Sequence, residues 1–205
     1  MYARFRRWRV SGTLHRAHDA LRARVRLAEG RAPDASAAVI DSQSVKSAER
    51  GGADIDPIGY DAGKKVKGVK RHILIDTLGM MLIGRIQSAS VQDRDGALPV
   101  LAEARRLFPF INKIFADGGY QGEATATAVA RLGHWELEIV RRSDTAKGFI
   151  VLPKRWIVER TFGWLGRCRR LSKHFENLTR SALAFLRLAM IRLMMRHIAR
   201  LQLQQ

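Results

Sequence analysis

The hydrophobic positions of this chain change rhythm several times, and each change marks an element. Leu14, Ala17, Leu21 and Val25 recur at three- or four-residue intervals, which predicts a helix over His15 to Leu27, ended by Gly30 and Pro33. Ahead of it, Tyr2, Phe5 and Trp8 interleave with arginines over residues 2–9, the pattern of the end of a basic helix. Asp34 to Ser36 form a short linker. Ala37-Ala-Val-Ile-Asp41 is an apolar run closed by an acid and predicts a buried strand. Gly51 to Lys70, rich in Gly, Asp and Lys, predicts a loop. Arg71–Asp76 and Met80–Ile86 predict two strands joined by a tight hairpin at Thr77-Leu-Gly79. Asp93 to Leu107 predicts a helix, with acids in its first turn and Arg105 and Arg106 in its last, as the helix dipole favours. Ile111–Asp117 predicts a further strand, Gln121–Leu132 a helix and Trp135–Val140 an alternating strand. Pro153 is suited to the first turn of a long helix, and a last helix runs from about Ser181 to Leu203.

Three strands followed by alternating helices and strands predict a mixed α/β sheet with helices on its faces. Three acids then fall at informative places: Asp41 at the end of the first strand, Asp117 at the end of the fourth, and Glu159 on the helix after the fifth. Chemistry in such sheets gathers outside the carboxyl ends of strands where strand order switches. Neighbouring strands ending in Asp41 and Asp117, with a helix packed over that edge, would bring the three carboxylates together. Singly, each has a plain structural reading. A strand-end Asp commonly caps a turn, and Glu159 with Arg155 at i−4 is an ordinary helical ion pair worth about 0.3–0.5 kcal/mol. Together they suit two hard divalent cations about 3.5–4 Å apart, which clamp the entering and leaving oxygens of a phosphodiester.

Charge adds a partner. The chain has 205 residues, with 37 Lys and Arg against 19 Asp and Glu, a net charge of +18. Residues 1–40 carry +6, residues 41–140 carry zero, and residues 141–205 carry +12. A neutral middle between basic flanks fits a polyanion gripped from both sides. The single cysteine, Cys168, allows neither an internal disulfide nor a cysteine-rich zinc site and points to a reducing compartment. No apolar stretch is long enough to span a membrane, and the Arg-rich start lacks the apolar core of a signal peptide. These features predict a cytoplasmic protein.

Five sequence blocks carry a resemblance. Val39-Ile-Asp41-Ser-Gln-Ser-Val-Lys46, Gly63-Lys-Lys-Val-Lys-Gly-Val-Lys-Arg-His72, Gln92-Asp-Arg-Asp-Gly-Ala97, Phe115-Ala-Asp117-Gly-Gly-Tyr120 and the run from Arg155 to Leu171 together resemble the IS5-type DDE transposases of bacterial insertion sequences. The resemblance covers the chain from about Tyr2 to Leu203. It implies a ribonuclease-H-like catalytic core in which Asp41, Asp117 and Glu159 are the catalytic acids and hold two Mg²⁺ or Mn²⁺ ions. It implies cleavage at element ends and transfer of the 3′-hydroxyl to target DNA by a nucleoid-associated homo-oligomer bound to double-stranded DNA. In the related IS4-type signature a Tyr and a Lys accompany the Arg and Glu; here Leu152 and Gly166 occupy those positions, with Arg167 one residue further on. Relatives begin with a longer helical segment. The expectation is therefore either a transposase or a DNA-binding, catalytically incomplete chain that requires the product of an upstream reading frame. A basic RNA- or ribosome-binding protein is a third possibility, one that leaves the three acids without a purpose.

The expected organisation is a partial DNA-binding segment over residues 1–36, the catalytic core over 37–175, and a basic amphipathic helix over 176–205 packed on the core with its arginines towards DNA. Expected DNA contacts are Arg155, Arg160 and Arg167 on the glutamate-bearing helix, and Lys64, Lys65, Lys67, Lys70 and Arg71 in and after the glycine-rich loop. For the lysines a merely solvated loop is the competing reading. That loop is no P-loop, lacking Gly-x4-Gly-Lys-Ser/Thr. Between Asp117 and Glu159 the chain leaves no room for a large β-rich insertion. Trp156 and Trp164 could stack on bases but at helical spacing read better as core. His15 and His18 read as surface residues, His72 as structural or phosphate-facing, Asp76 as a turn residue, and Asp93 and Asp95 as helix caps.

Overall fold

The computed structural model describes residues 2–49, 54–133, 135–140 and 154–203. Two helices, α1 (Tyr2–Val10) and α2 (Thr13–Ala28), precede β1 (Ala37–Lys46), β2 (Gly59–Asp61), β3 (Val66–Asp76) and β4 (Met81–Ser88). There follow α3 (Asp93–Leu107), β5 (Lys113–Ala116), α4 (Glu123–Leu132), β6 (Glu136–Ile139), α5 (Arg155–Gly166) and α6 (Thr179–Gln202). Short 3₁₀ turns occupy Gly118–Tyr120 and Arg169–Leu171.

The strands form one mixed sheet. β3 runs antiparallel to β1 on one side and, on the other, to β2 and then β4 along its length. β1 is parallel to β5, and β5 to β6. Successive β1 residues point to opposite faces, and each face has its own core. Val39, Ile73, Ile75 and Phe115 pack with Val25 of α2, Val158 and Leu165 of α5, and Leu186 and Met190 of α6. On the other face Ala38, Ile40, Leu74 and Ile114 meet Val100 and Leu101 of α3 and Val129 of α4. Helices on both faces explain why β3 is buried without interruption from Gly68 to Asp76. This is the ribonuclease-H-like arrangement that the resemblance implies.

The element order matches the pattern of apolar positions except for the three-residue β2, which lies within the stretch expected as loop, and the boundaries differ where polar residues are strand-paired. β1 continues five residues past Asp41 to Lys46, so Asp41 lies inside the strand. β3 begins at Val66 within the stretch expected as loop, and Ser42, Gln43 and Ser44 lie opposite His72, Arg71 and Lys70. Backbone pairing holds these polar residues in the sheet against their own preference for loops. The approach is close enough that a Cβ on Gly68 would lie 2.0 Å from the Val45 carbonyl oxygen. α5 begins at Arg155; the expected first-turn Pro153, like Leu152, lies outside the described residues. His18, expected on the surface, is buried, and burial lowers its pKa despite the Asp19 carboxylate 3.2 Å from Nδ1.

One ionic knot joins the layers. Asp76 is fully buried at the start of the β3–β4 turn. Its Oδ1 accepts from the Leu78 and Met80 N–H groups at 3.0 and 2.9 Å, and its Oδ2 accepts from Arg26 Nη1 of α2 at 2.8 Å. Arg26 also donates to the Ala32 and Asp34 carbonyls, closing the linker over the knot. Gly79, at φ 89°, completes the turn in a conformation that favours glycine. α5 docks on this turn: Arg160 Nη2 donates to Leu78 O at 2.8 Å and Thr161 Oγ1 to Gly79 O at 3.1 Å.

Arg26→Met leaves Asp76 buried without its countercharge and is expected to lower the unfolding free energy by about 3 kcal/mol. The Arg26→Met/Asp76→Asn double variant should be more stable than the sum of the two single losses predicts. Urea unfolding of the four proteins as a double-mutant cycle measures both terms; simple additivity would show that the pair is not coupled.

Candidate active site

The pairing of β1 with β5 ends at Val39 opposite Phe115. Asp41 lies two residues beyond Val39 and Asp117 two beyond Phe115, so both fall at matched positions on one face of the sheet. It is the face that α5 covers. β5 stops there while β1 continues beside β3, with Asp41 opposite Ile73. Asp117 caps the following turn, its Oδ1 accepting from the Gly119 N–H at 2.8 Å. α5 buries Ile157, Val158, Phe162 and Leu165 and carries Arg155 and Glu159 along its partly exposed side. Arg155 Nη2 stands 3.7 Å from Asp117 Oδ2 and 3.4 Å from Glu159 Oε1, so one guanidinium bridges the two acids.

Asp41 is the least comfortable of the three carboxylates. Burial pushes its pKa up to about 7, and the charge of Asp117 adds to the rise. The Ser42 N–H, 2.7 Å from Oδ1, and the charges of Arg155 and Lys64 pull the other way without cancelling it. Glu159 is the most exposed, at 53% against 28% for Asp117. Among the described residues no three His, Cys, Asp or Glu side chains already form a metal-holding cluster. The donor chemistry nonetheless fits a hard divalent cation: three carboxylates border one sheet face, and the half-buried Asp41 is raised by desolvation and by the charge of Asp117. Arg155 supplies positive charge between the other two.

The opposite face of β1 holds a network for which sequence reading assigned only caps and loop contacts. Ser42 Oγ donates to Asp93 Oδ1 at 2.6 Å, and Lys70 Nζ lies 2.8 Å from the same oxygen. Lys70 also donates to Val91 O at 2.7 Å and stands 3.5 Å from Asp61 Oδ2, which accepts from Ser44 Oγ. Desolvation raises Asp61, but the Ser44 hydroxyl, the Lys64 N–H and the Lys70 and Lys64 charges together bring it down to about 2. Asp93 is therefore a strut between α3, β1 and β3 in addition to a first-turn acid. Tyr120, unassigned in the sequence beyond its place in the Gly-Gly-Tyr block, is buried with its hydroxyl unpartnered among the described residues. Burial, with the charges of Asp41, Asp93 and Asp117, pushes its pKa well up. An aromatic placed directly after a strand-end acid and two glycines is the only sequence signal for it.

The expected DNA contacts divide. Lys64, Lys65, Lys67 and Arg167 are exposed. Lys70 and Arg71 are buried, Lys70 in the network above and Arg71 donating to Gln43 Oε1 at 3.4 Å, with its pKa lowered to about 10 by burial. Strand β3 lies inside the sheet, so neither side chain faces a duplex in this structure. Arg160 is clasped between the rings of Trp156 and Trp164, 4.5 and 4.4 Å from their centroids, and bonds Leu78 O. Trp164 packs, partly buried, against the core, as expected, whereas Trp156 is exposed and lies against Arg160. His72 is fully buried, its pKa lowered to about 4 by desolvation, so it faces no phosphate.

Comparison with known proteins adds to this geometry. The profile of the transposase DDE domain matches residues 32–194. A Burkholderia cepacia protein named "Putative transposase for insertion sequence element IS402" is 33% identical over 129 residues. The match takes in 59% of this chain and 60% of that protein, so the chain spans about 60% of the length of the curated relative it matches.

The raised Asp41 carboxyl has a thermodynamic consequence. A folded-state pKa of about 7 against 3.8 unfolded gives stability that is fully present below pH 3.8 and lost as the pH rises to about 7. Asp41→Asn, neutral throughout, should match the wild type in stability near pH 4 and exceed it by about 2–4 kcal/mol at pH 8 in chelator-containing buffer. Thermal melts across that range check it; parallel curves would exclude the shift.

Proposed function

The chain belongs to the transposase DDE-domain family, and on that premise we propose that it is the IS5-type transposase of a bacterial insertion sequence, cutting DNA at the element ends and joining the freed 3′-hydroxyl to target DNA. The observation that carries this reading is the placement of Asp41 and Asp117 at matched positions beyond the last β1–β5 pair, with Glu159 tied to Asp117 through Arg155.

In this reading Asp41, Asp117 and Glu159 hold two Mg²⁺ or Mn²⁺ ions. When bound, such ions supply the Lewis acidity that activates a water or hydroxyl nucleophile and stabilises the leaving oxygen. The chain supplies the rest. Asp41 and Asp117 are fixed by the sheet, Asp117 further by the Gly119 N–H. Arg155 orients Glu159 and offers a guanidinium to the reacting phosphate. The Asp93–Lys70–Ser42 network stiffens β1 beside Asp41. Hydrolysis of the end phosphodiester frees a 3′-hydroxyl, which attacks the phosphorus of a target phosphodiester in line; its O–P bond forms as the bond to the target strand's 3′-oxygen breaks, and that oxygen leaves as a new 3′-hydroxyl. Exposed Lys64, Lys65, Lys67 and Arg167 contact the duplex backbone, which positions DNA without reading its sequence. The acting unit is a homo-oligomer, because two element ends must be handled together. The chain divides functionally into the basic segment 1–36, the catalytic core 37–175 and the helical segment 176–205. Among the described residues no helix is long and apolar enough to cross a membrane.

Purified protein with labelled duplexes carrying the element ends and Mg²⁺ tests the proposal. Cleavage is expected for the wild type and should vanish in Asp41→Asn, Asp117→Asn and Glu159→Gln while duplex binding persists. Undiminished cleavage by any of the three variants would refute the assignment of that acid.

A further inference from the structure

α6 carries arginines at four-residue steps, Arg192, Arg196 and Arg200, which align them along one side of the helix. Arg167, directly after α5, approaches the same side. Together with Trp164 and His197 they line a cleft of about 290 Å³ between the end of α5 and the last turns of α6. Among the described residues none of the four arginines has a carboxylate partner. The nearby acid at the end of α2, Glu29 directly after the helix, is held by His197, with Nε2 2.6 Å from Oε1. Like charges at i, i+4 oppose helix formation, and the carboxyl end of the helix dipole offsets only part of that repulsion. Four guanidinium groups around one cleft with no internal countercharge form a site that an anion completes.

We propose that this cleft binds a phosphate group of DNA, apart from the acidic centre and in addition to it. Guanidinium forks match phosphate oxygens in bidentate geometry, and the indole of Trp164 gives the cleft an apolar wall against which a sugar can lie. The placement fits a duplex engaged at Glu159. Arg167 follows Glu159 by eight residues, one position past the end of α5, about 12 Å along the helix direction at 1.5 Å per residue, close to the rise of about three to four base pairs. The inference rests on the transposase reading for the identity of the polyanion. Its phosphate chemistry comes from the cleft alone.

The test uses the full chain and three probes: a blunt duplex with 5′-hydroxyl ends, the same duplex with 5′-phosphate ends, and inorganic phosphate. Fluorescence anisotropy across a salt series is measured for the wild type, for Arg192→Gln/Arg196→Gln/Arg200→Gln, and for a control, Arg105→Gln/Arg106→Gln, at exposed positions on α3. The triple variant should bind duplex about tenfold or more weakly and lower the slope of log affinity against log salt by about two to three, the control by less. Equal affinity for the two duplexes assigns an internal phosphodiester to the cleft. Preference for the 5′-phosphate, lost in the triple variant, assigns a terminal one. Inorganic phosphate should raise the melting temperature of the wild type more than that of the triple variant, and Arg196→Gln alone gives the same comparison if the triple variant does not fold. A triple variant that binds with wild-type affinity and slope, or loses no more than the control, overturns the inference and leaves the transposase reading standing. A wild type that binds no duplex overturns both, whereas binding without cleavage counts against the catalytic reading alone.

Discussion

The buried carboxylate of Asp76 is the constraint on which the rest of the structure depends. It lies where the β3–β4 hairpin must turn, and its two oxygens serve different tasks. One closes the turn through Leu78 and Met80; the other holds Arg26 from the helix layer above. The turn so fixed presents the Leu78 and Gly79 carbonyls to Arg160 and Thr161. Glu159 is the residue before that pair, so the position of the candidate third acid is set, through one hairpin, by an ion pair with α2. A carboxylate removed from water is tolerable only when its lone pairs are filled by donors and a cation. Because those donors come from three separate elements, satisfying the charge also fixes their relative positions.

The sheet distributes its polar chemistry by parity. Odd-numbered positions of β1 at this point face α5, and there Asp41 meets the field of Asp117. Even-numbered positions face α3, and there Ser42 and Ser44 meet Asp93 and Asp61, with Lys70 between them. The two faces differ in electrostatic balance. On the α3 side the lysine and hydroxyl donors hold Asp61 well below its usual range. On the α5 side burial outweighs the available donors, and Asp41 is raised. The balanced network suits a strut, whereas the unbalanced group suits a place where a cation arrives.

Arginine illustrates how little residue type alone says about role in a chain of net charge +18. Arg26 neutralises a buried acid, Arg160 is sandwiched between two indoles, Arg71 is buried against Gln43, and Arg155 bridges two carboxylates. The arginines of the α6 stripe share a cleft with no acid among the described residues to balance them. Sequence spacing grouped Arg155, Arg160 and Arg167 as one phosphate-binding set. The contacts separate them, because residues 155 and 160 project from different sides of a helix whose third side is buried in the core.

Much of this protein was legible in one dimension. The short apolar runs ending at Asp41, Asp76 and Asp117, and the acidic first turn and basic last turn of residues 93–107, determined most of the elements and their order, because a buried strand demands an apolar run and a helix dipole favours those charges. The acids Asp41, Asp117 and Glu159 could be singled out because each followed such a run or stood beside Arg155 at helical spacing. The polar extension of β1 to Lys46 and the early start of β3 at Val66 were not legible. The β1 extension is set by β3, more than twenty residues away, and the start of β3 by the short β2 across the glycine- and lysine-rich turn, not by local preference. Nor were the burial of Lys70, Arg71 and His18, the clasp on Arg160, and the link from Arg26 to Asp76 across fifty positions. Which charges are neutralised and which stay free depends on what each side chain meets across elements. Only the packed structure decides that, because water screens an exposed charge and a protein interior leaves it dependent on its neighbours.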